Sequence, residues 1–169
     1  RGDAYTEFLR GAKHRLAAAG KPLRYNLQVD YFRPHPAPAR LLSFPANLDF
    51  QWRRWVDEGI IDAAILRFVG LPTFDALMGD PIAREMIDRC RTRGLPVTFN
   101  RYVGQAGKNL PAEVAQVRAD PRFAGYIFYE FFNYVGFGPA EGELILKDPL
   151  VLSTIEQAAR GSAPVAADR

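Results

Sequence analysis

Four stretches of the chain share one pattern, and this repetition constrains the possible folds more than any other feature. In each stretch a helix-like segment ends at a tight turn, a short apolar segment follows, and a longer polar loop comes next. The last apolar segment, Gly125–Val135, is rich in Phe and Tyr and too short for an ordinary helix, which is typical of a buried strand. Helices and strands that alternate in this way predict parallel strands with helical crossovers, and hence an α/β fold.

The pattern predicts where each helix and strand lies. The predicted strands are Leu23–Tyr31, Ile61–Val69, Pro96–Val103 and Gly125–Asn133. The predicted helices are Tyr5–Ala19 with Thr6 as its cap, Asp49–Glu58, a helix capped by Asp80 that runs to about Arg93, Pro111 to about Asp120, and one between Pro149 and Arg160. Residues 1–160 form a single predicted domain, and residues 161–169 form a frayed tail.

Polar residues on the predicted strands distinguish two architectures. Asn26, Gln28 and Asp30 alternate with apolar residues in the first strand, and Asn100 and Tyr102 do so in the third. Central strands of an open doubly wound sheet are apolar on both faces, because helices cover both. We therefore expect the C-terminal half of a (β/α)8 barrel, made of four βα units, with a small open doubly wound sheet as the alternative. A complete barrel needs about 200 residues or more, so an N-terminal half-barrel would be missing or supplied by a second chain.

Three segments resemble the family-10 glycosyl-hydrolase-like proteins. Leu48–Asp62 contains the order Trp-Val, acidic, Gly, apolar, Asp that resembles a helix-to-strand step of that family. Tyr5–Arg10 resembles the helix before one of its late strands, and Gly125–Glu130 resembles its closing strand. The resemblance implies the C-terminal half of a (β/α)8 barrel and the handling of carbohydrate, without naming a sugar. It also implies that the usual acid on strand four would lie before Arg1, where we expect the chain to have been cut from something longer.

Glu130 and Asp30 are the candidate catalytic residues. Glycoside hydrolysis needs two carboxylates that flank the scissile bond, about 5 Å apart for retention and about 6.5–9.5 Å apart for inversion. Glu130 lies among aromatic residues, whose desolvating effect would raise its proton affinity and suit a general acid. A structural ion pair with an Arg is the alternative role for Glu130, and capping of the next loop is the alternative for Asp30.

Alternation along the strands predicts that further polar and aromatic residues lie near Glu130 and Asp30, at the C-terminal ends of the strands. In parallel α/β folds the loops at these ends carry function. Aromatic rings there could stack on the C–H faces of a sugar. The candidate substrate-binding residues are Asn26, Gln28, Arg67, Asn100, Tyr102, Tyr129 and Asn133. The sequence predicts no cofactor, and it holds no His or Cys cluster of the kind that binds a metal.

Two other functions stay open. A phosphate ligand could bind at the glycine-rich loops Gly104–Lys108 and Gly136–Gly138, because glycine lets backbone N–H groups approach an anion. A non-catalytic half-barrel could instead bind a partner through exposed strand edges.

Charge and hydropathy weigh against two classes of partner. The net charge is +3 with scattered basic residues, which gives weak support for nucleic-acid binding. No run of about eighteen apolar residues predicts a membrane span. No signal peptide is visible in this stretch, which leaves the compartment open, export included. Cys90 is the single cysteine, and we expect a half-buried structural thiol.

Overall fold

The computed structural model describes residues 1–29, 49–67, 71, 73–102, 109–129, 135–147 and 149–160. The helices in chain order are α1 (Gly2–Ala18), α2 (Trp52–Asp57), α3 (Phe74–Gly79), α4 (Pro81–Thr92), α5 (Leu110–Ala119) and α6 (Pro149–Arg160). The strands are β1 (Asn26–Val29), β2 (Ala63–Leu66), β3 (Val97–Tyr102), β4 (Gly125–Tyr129), β5 (Val135–Phe137) and β6 (Leu144–Leu146).

Strands β1 to β4 form one parallel sheet in the order of the sequence. In the ladder Leu27 pairs with Ala64, Ala64 pairs with Val97, and Phe99 pairs with Tyr126. Each strand therefore lies beside the next one along the chain. This arrangement confirms the predicted α/β fold of parallel strands alternating with helices.

The described helices pack against one face of this sheet. Leu27, Leu66 and Phe99 project into a core that they share with residues of α2, α3 and α4. Tyr126 and Phe128 project from β4 on the same side and contact residues of α5 and α6. A doubly wound sheet would have helices on both faces. The four-stranded parallel sheet is consistent with both predicted architectures, the half-barrel and the small open doubly wound sheet.

Two tryptophans of α2 anchor the core. Trp52 is 3% exposed and Trp55 is 1% exposed. The indole N–H of Trp55 donates to the hydroxyl of Thr6 at 2.7 Å, and that hydroxyl donates to Gln51 Oε1 at 2.8 Å. The prediction that Thr6 caps α1 is therefore wrong, because the helix begins at Gly2 and Thr6 instead joins α1 to α2.

The helix boundaries that were predicted from turn residues are largely confirmed. Gly59 follows α2 and Gly94 follows α4, with φ angles of +68° and +67° that favour glycine. Asp80 caps α4, since one carboxylate oxygen accepts the N–H groups of Ile82 and Ala83 at 2.9 and 3.0 Å.

β1, β2 and β3 begin later than predicted, and β2 also ends earlier. β1 starts at Asn26 rather than Leu23, because the N–H of Tyr25 donates to the Asp62 carboxylate at 2.8 Å instead of entering the ladder. β2 spans only four residues, so Arg67 follows the strand rather than lying within it.

Two elements lie where loops were predicted. The segment Gly70–Gly79 contains α3, whose cap Thr73 accepts the N–H of Ala76 at 3.0 Å. The glycine-rich loop Gly136–Gly138 belongs to an antiparallel hairpin of β5 and β6.

Cys90 is fully buried rather than half-buried, since its exposed fraction is 0%. Burial raises the pKa of its thiol to about 11. The thiol therefore stays protonated at neutral pH, as a structural cysteine would.

Candidate functional site

The face of the sheet opposite the helices carries the predicted polar residues. Ladder partners in a parallel sheet project to the same face, because side chains alternate along each strand. Gln28 pairs with Ile65, and Ile65 pairs with Thr98. We call this surface the polar face, and its described side chains are Asn26, Gln28, Ala63, Ile65, Arg67, Thr98, Asn100, Gly125, Ile127 and Tyr129.

Gln28 and Asn100 meet on the polar face although β1 and β3 are not neighbours. The side-chain amide of Asn100 donates from Nδ2 to Gln28 Oε1 at 3.4 Å. Gln28 is exposed, whereas Asn100 is only 4% exposed. The carbonyl oxygen of Asn100, Oδ1, is buried, and no donor in the described part of the chain reaches it.

Arg67 and Tyr129 form a second contact between strands that are two apart. The guanidinium carbon of Arg67 lies 3.7 Å from the centre of the Tyr129 ring, a cation–π distance. Strands two apart are separated by about 10 Å in a flat sheet. Two side-chain contacts on this face thus bridge strands that are not neighbours in the sheet.

The remaining predicted site residues are placed as follows. Asn26 lies on the polar face and is exposed. Tyr102 is the last residue of β3 and its backbone pairs with Tyr129, but its side chain is outside the described part. Asp30, Glu130 and Asn133 also lie outside the described residues. The geometry therefore brings together four of the predicted residues, Gln28, Arg67, Asn100 and Tyr129.

A buried ion pair on the opposite, helix-covered face was not predicted. Arg101 Nε donates to Glu113 Oε1 at 3.0 Å, and Arg101 Nη2 donates to Glu113 Oε2 at 2.7 Å. The Tyr126 hydroxyl donates to Glu113 Oε1 at 2.9 Å, and the N–H of Phe74 donates to Oε2 at 3.2 Å. The Glu113 carboxylate thus joins β3, β4, α3 and α5.

Arg101 also contacts the segment that follows β2. Arg101 Nη1 donates to the carbonyl of Leu71 at 3.4 Å. Burial, followed by the nearby charge of Glu113, raises the pKa of Tyr126, so its hydroxyl remains a donor. The sequence did contain a signal for Glu113, because it shares the helical spacing of the buried residues Leu110, Val114 and Val117.

The second predicted phosphate loop has a different role. Gly136 pairs with Ile145 in the β5–β6 hairpin, and the N–H of Gly138 donates to the carbonyl of Glu143 at 2.9 Å. The Glu143 carboxylate also lies against Gly138. That N–H is therefore already bonded, and an adjacent negative charge would repel a phosphate. The first loop, Gly104–Lys108, lies outside the described residues.

The described part of the chain lacks a metal-binding cluster and a membrane-spanning helix. It contains no group of three or more His, Cys, Asp or Glu residues that could hold a metal ion. None of its helices is both long enough and apolar enough to cross a membrane.

Comparison with models of known protein families, with curated proteins and with solved structures finds no match for this chain.

Proposed function

We propose that the polar face binds carbohydrate and that the chain is a glycoside hydrolase-like barrel protein. The observation that carries this proposal is the convergence of Gln28 with Asn100, and of Arg67 with Tyr129, on the sheet face that lacks described helices. Active sites of (β/α)8 barrels lie at the C-terminal ends of the strands, and three of these residues lie near such ends. Amide groups bond hydroxyls in either direction, which suits a sugar.

Glu130 and Asp30 supply the acid–base chemistry in this proposal. In the sequence Asp30 directly follows β1 and Glu130 directly follows β4, the two outer strands of the sheet. Three strand spacings amount to about 14 Å in a flat sheet. Glycoside hydrolysis needs two carboxylates about 5 Å apart for retention or about 6.5–9.5 Å apart for inversion, so the proposal requires these two to come closer than that strand spacing. On the inverting route Glu130 protonates the leaving oxygen, and Asp30 activates a water.

The test is hydrolysis of a panel of chromogenic aryl glycosides by the wild type and by Glu130→Gln and Asp30→Asn. Loss of general acid–base catalysis lowers rates by about 10²–10⁴-fold. The turnover rate of each variant should therefore fall by a factor in that range. Glu156→Gln and Asp88→Asn are matched controls, because both carboxylates are exposed on helices away from the polar face. Unchanged turnover in Glu130→Gln would remove that residue from the mechanism.

Carbohydrate binding without hydrolysis is the second candidate. It is favoured by the charge of the polar face, where the described side chains include no carboxylate and a single cation, Arg67. A half-barrel of this kind would also need a partner along β1 and β4, whose outer edges are unpaired within the described residues. Oligosaccharide binding by the wild type, with no sugar released on long incubation, would favour this candidate over the hydrolase.

A further inference from the structure

We infer that Asn100 is a ligand-binding residue whose Oδ1 accepts a hydrogen bond from a hydroxyl of the bound molecule. This inference rests on the proposed function, carbohydrate binding at the polar face. Asn100 is 4% exposed, and its Oδ1 receives no hydrogen bond from the described residues. Most buried polar groups of native proteins are bonded, so a buried acceptor without a donor points to a functional reason.

The orientation of the Asn100 amide is set by one contact. Because Nδ2 donates to Gln28 Oε1, the carbonyl end of the amide must point elsewhere on the polar face. Asn100 pairs in the ladder with Ile127, and Gln28 pairs with Ile65. These isoleucine side chains have no N–H or O–H group to offer. The acceptor is therefore directed and buried, with Ile127 as its neighbour in β4. On the β2 side, Arg67 follows the Leu66–Phe99 pair and is next to Asn100 in the register.

An unpaired carbonyl oxygen selects the chemistry of its ligand. A hydroxyl can donate to it, whereas an ionised carboxylate or a fully ionised phosphate group presents only oxygen acceptors and would be repelled by it. Within the proposed function, the group that bonds Asn100 is therefore a hydroxyl of the sugar. This need for a donor favours a sugar over the fully ionised phosphate that the glycine-rich loops suggested.

A ligand must displace a neighbour to reach this oxygen, because the atom is closed to solvent. Gln28 is exposed, and its bond to Asn100 is long at 3.4 Å. Its side chain is accordingly the weakly held part of the cluster. Rotation of Gln28 would open a path to Asn100 without moving the backbone of the sheet.

The experiment measures binding of neutral monosaccharides, their singly deoxygenated analogues and inorganic phosphate by ligand-observed NMR and calorimetry. The proteins are the wild type, Asn100→Leu, Asn100→Asp and, as a control away from the polar face, Thr92→Val, an exposed change at the end of α4. In the wild type, removal of one particular sugar hydroxyl should weaken binding about tenfold. In Asn100→Leu the intact sugar should bind about tenfold more weakly, and that deoxygenation should have no further effect.

The folding of each variant is checked by thermal unfolding. Asn100→Leu should unfold at the same or a higher temperature, because it removes a buried acceptor that lacks a donor. Asn100→Asp keeps an acceptor and should retain sugar binding, and Thr92→Val should bind as the wild type does. Sugar binding that is equal in the wild type and Asn100→Leu would overturn this inference alone. Absence of binding for every sugar tested would overturn the proposed function and this inference with it.

Discussion

The guanidinium of Arg67 lies over the aromatic ring of Tyr129, with 3.7 Å between the guanidinium carbon and the ring centre. Arg67 follows β2 and Tyr129 ends β4, so the contact crosses above β3. One face of the Tyr129 ring is therefore occupied by a cation. A sugar that stacks on Tyr129 must use the other face or displace Arg67.

Two substitutions of Tyr129 should distinguish the contribution of its ring to stability from that of its hydroxyl. Tyr129→Leu removes the cation–π contact and should lower the free energy of unfolding by about 1 kcal/mol, because both side chains are half-buried. Tyr129→Phe keeps the ring and should change stability by less than about 0.5 kcal/mol. Urea unfolding of both variants, alone and combined with Arg67→Gln, measures the coupling. Equal effects of Leu and Phe would show that the ring contributes nothing.

Removal of one partner from the buried ion pair should be far more damaging than removal of both. Glu113→Leu leaves the Arg101 guanidinium without its carboxylate partner and should lower the free energy of unfolding by about 3–5 kcal/mol. The double variant Arg101→Leu and Glu113→Leu should lose less stability than either single variant. Urea unfolding measures all three.

The exposed pair of Arg53 and Glu85 provides the contrast for that series. Arg53 Nε lies 2.6 Å from Glu85 Oε1, but both side chains are more than a third exposed. Solvent screens such pairs, so Arg53→Ala should cost no more than about 1 kcal/mol. Comparable losses at the exposed and the buried pair would contradict the argument from burial.

Acid should weaken the turn between α5 and β4. Arg122 donates to Asp120 from Nε at 2.8 Å and from its backbone N–H at 3.0 Å, and the side-chain bond in particular lowers the pKa of Asp120. A carboxyl whose pKa is lower in the folded than in the unfolded state stabilises the fold above the unfolded pKa of about 3.9. That contribution disappears as the pH falls through the lower, folded pKa.

Asp120→Asn should therefore be destabilised by about 1 kcal/mol at neutral pH. The difference from the wild type should shrink towards zero when the carboxyl of the wild type is protonated. Urea unfolding across a pH series gives the measurement, and Glu141→Gln, an exposed change in the hairpin turn, is the control. A difference that stays constant down to about pH 2 would show that the Asp120 charge is not responsible.

Cys90 should be inert in the folded protein. Its side chain is fully buried, and burial raises the pKa of the thiol to about 11, so very little thiolate forms at pH 8. Iodoacetamide should label it only in denaturant, as followed by intact mass. Rapid labelling of the native protein would indicate that α4 opens readily.

The parts of the fold that the sequence predicted are those with local causes. Asp80 followed by Pro81 marks a helix start, and Gly94 marks its end, whatever the rest of the chain does. α3 was missed because its six residues are too few to show helical periodicity, although Thr73 offered a cap. The hairpin was missed because three residues per strand cannot display alternation.

The candidate site was predictable only in part, for a physical reason. Alternation along β1 and β3 was enough to place Gln28 and Asn100 on one face. The pairing of Arg101 with Glu113 depends on how α5 lies against the sheet, and spacing along the chain does not encode that. The missing donor at Asn100 Oδ1 likewise became visible only in three dimensions, because it is a property of the surroundings.

Asn100 and Arg101 are consecutive, yet the first belongs to the polar face and the second is enclosed by helices. Gain or loss of one residue between Val97 and Asn100 would exchange the faces that the side chains of Asn100 and Arg101 occupy. Glu113 would then face an amide instead of a cation, and the polar face would carry a charge where the amide had been. Substitutions in β3 are consequently tolerated more readily than insertions or deletions. Replacements at position 100 could retune what this surface accepts while the scaffold persists, but an insertion in that strand would abolish both together.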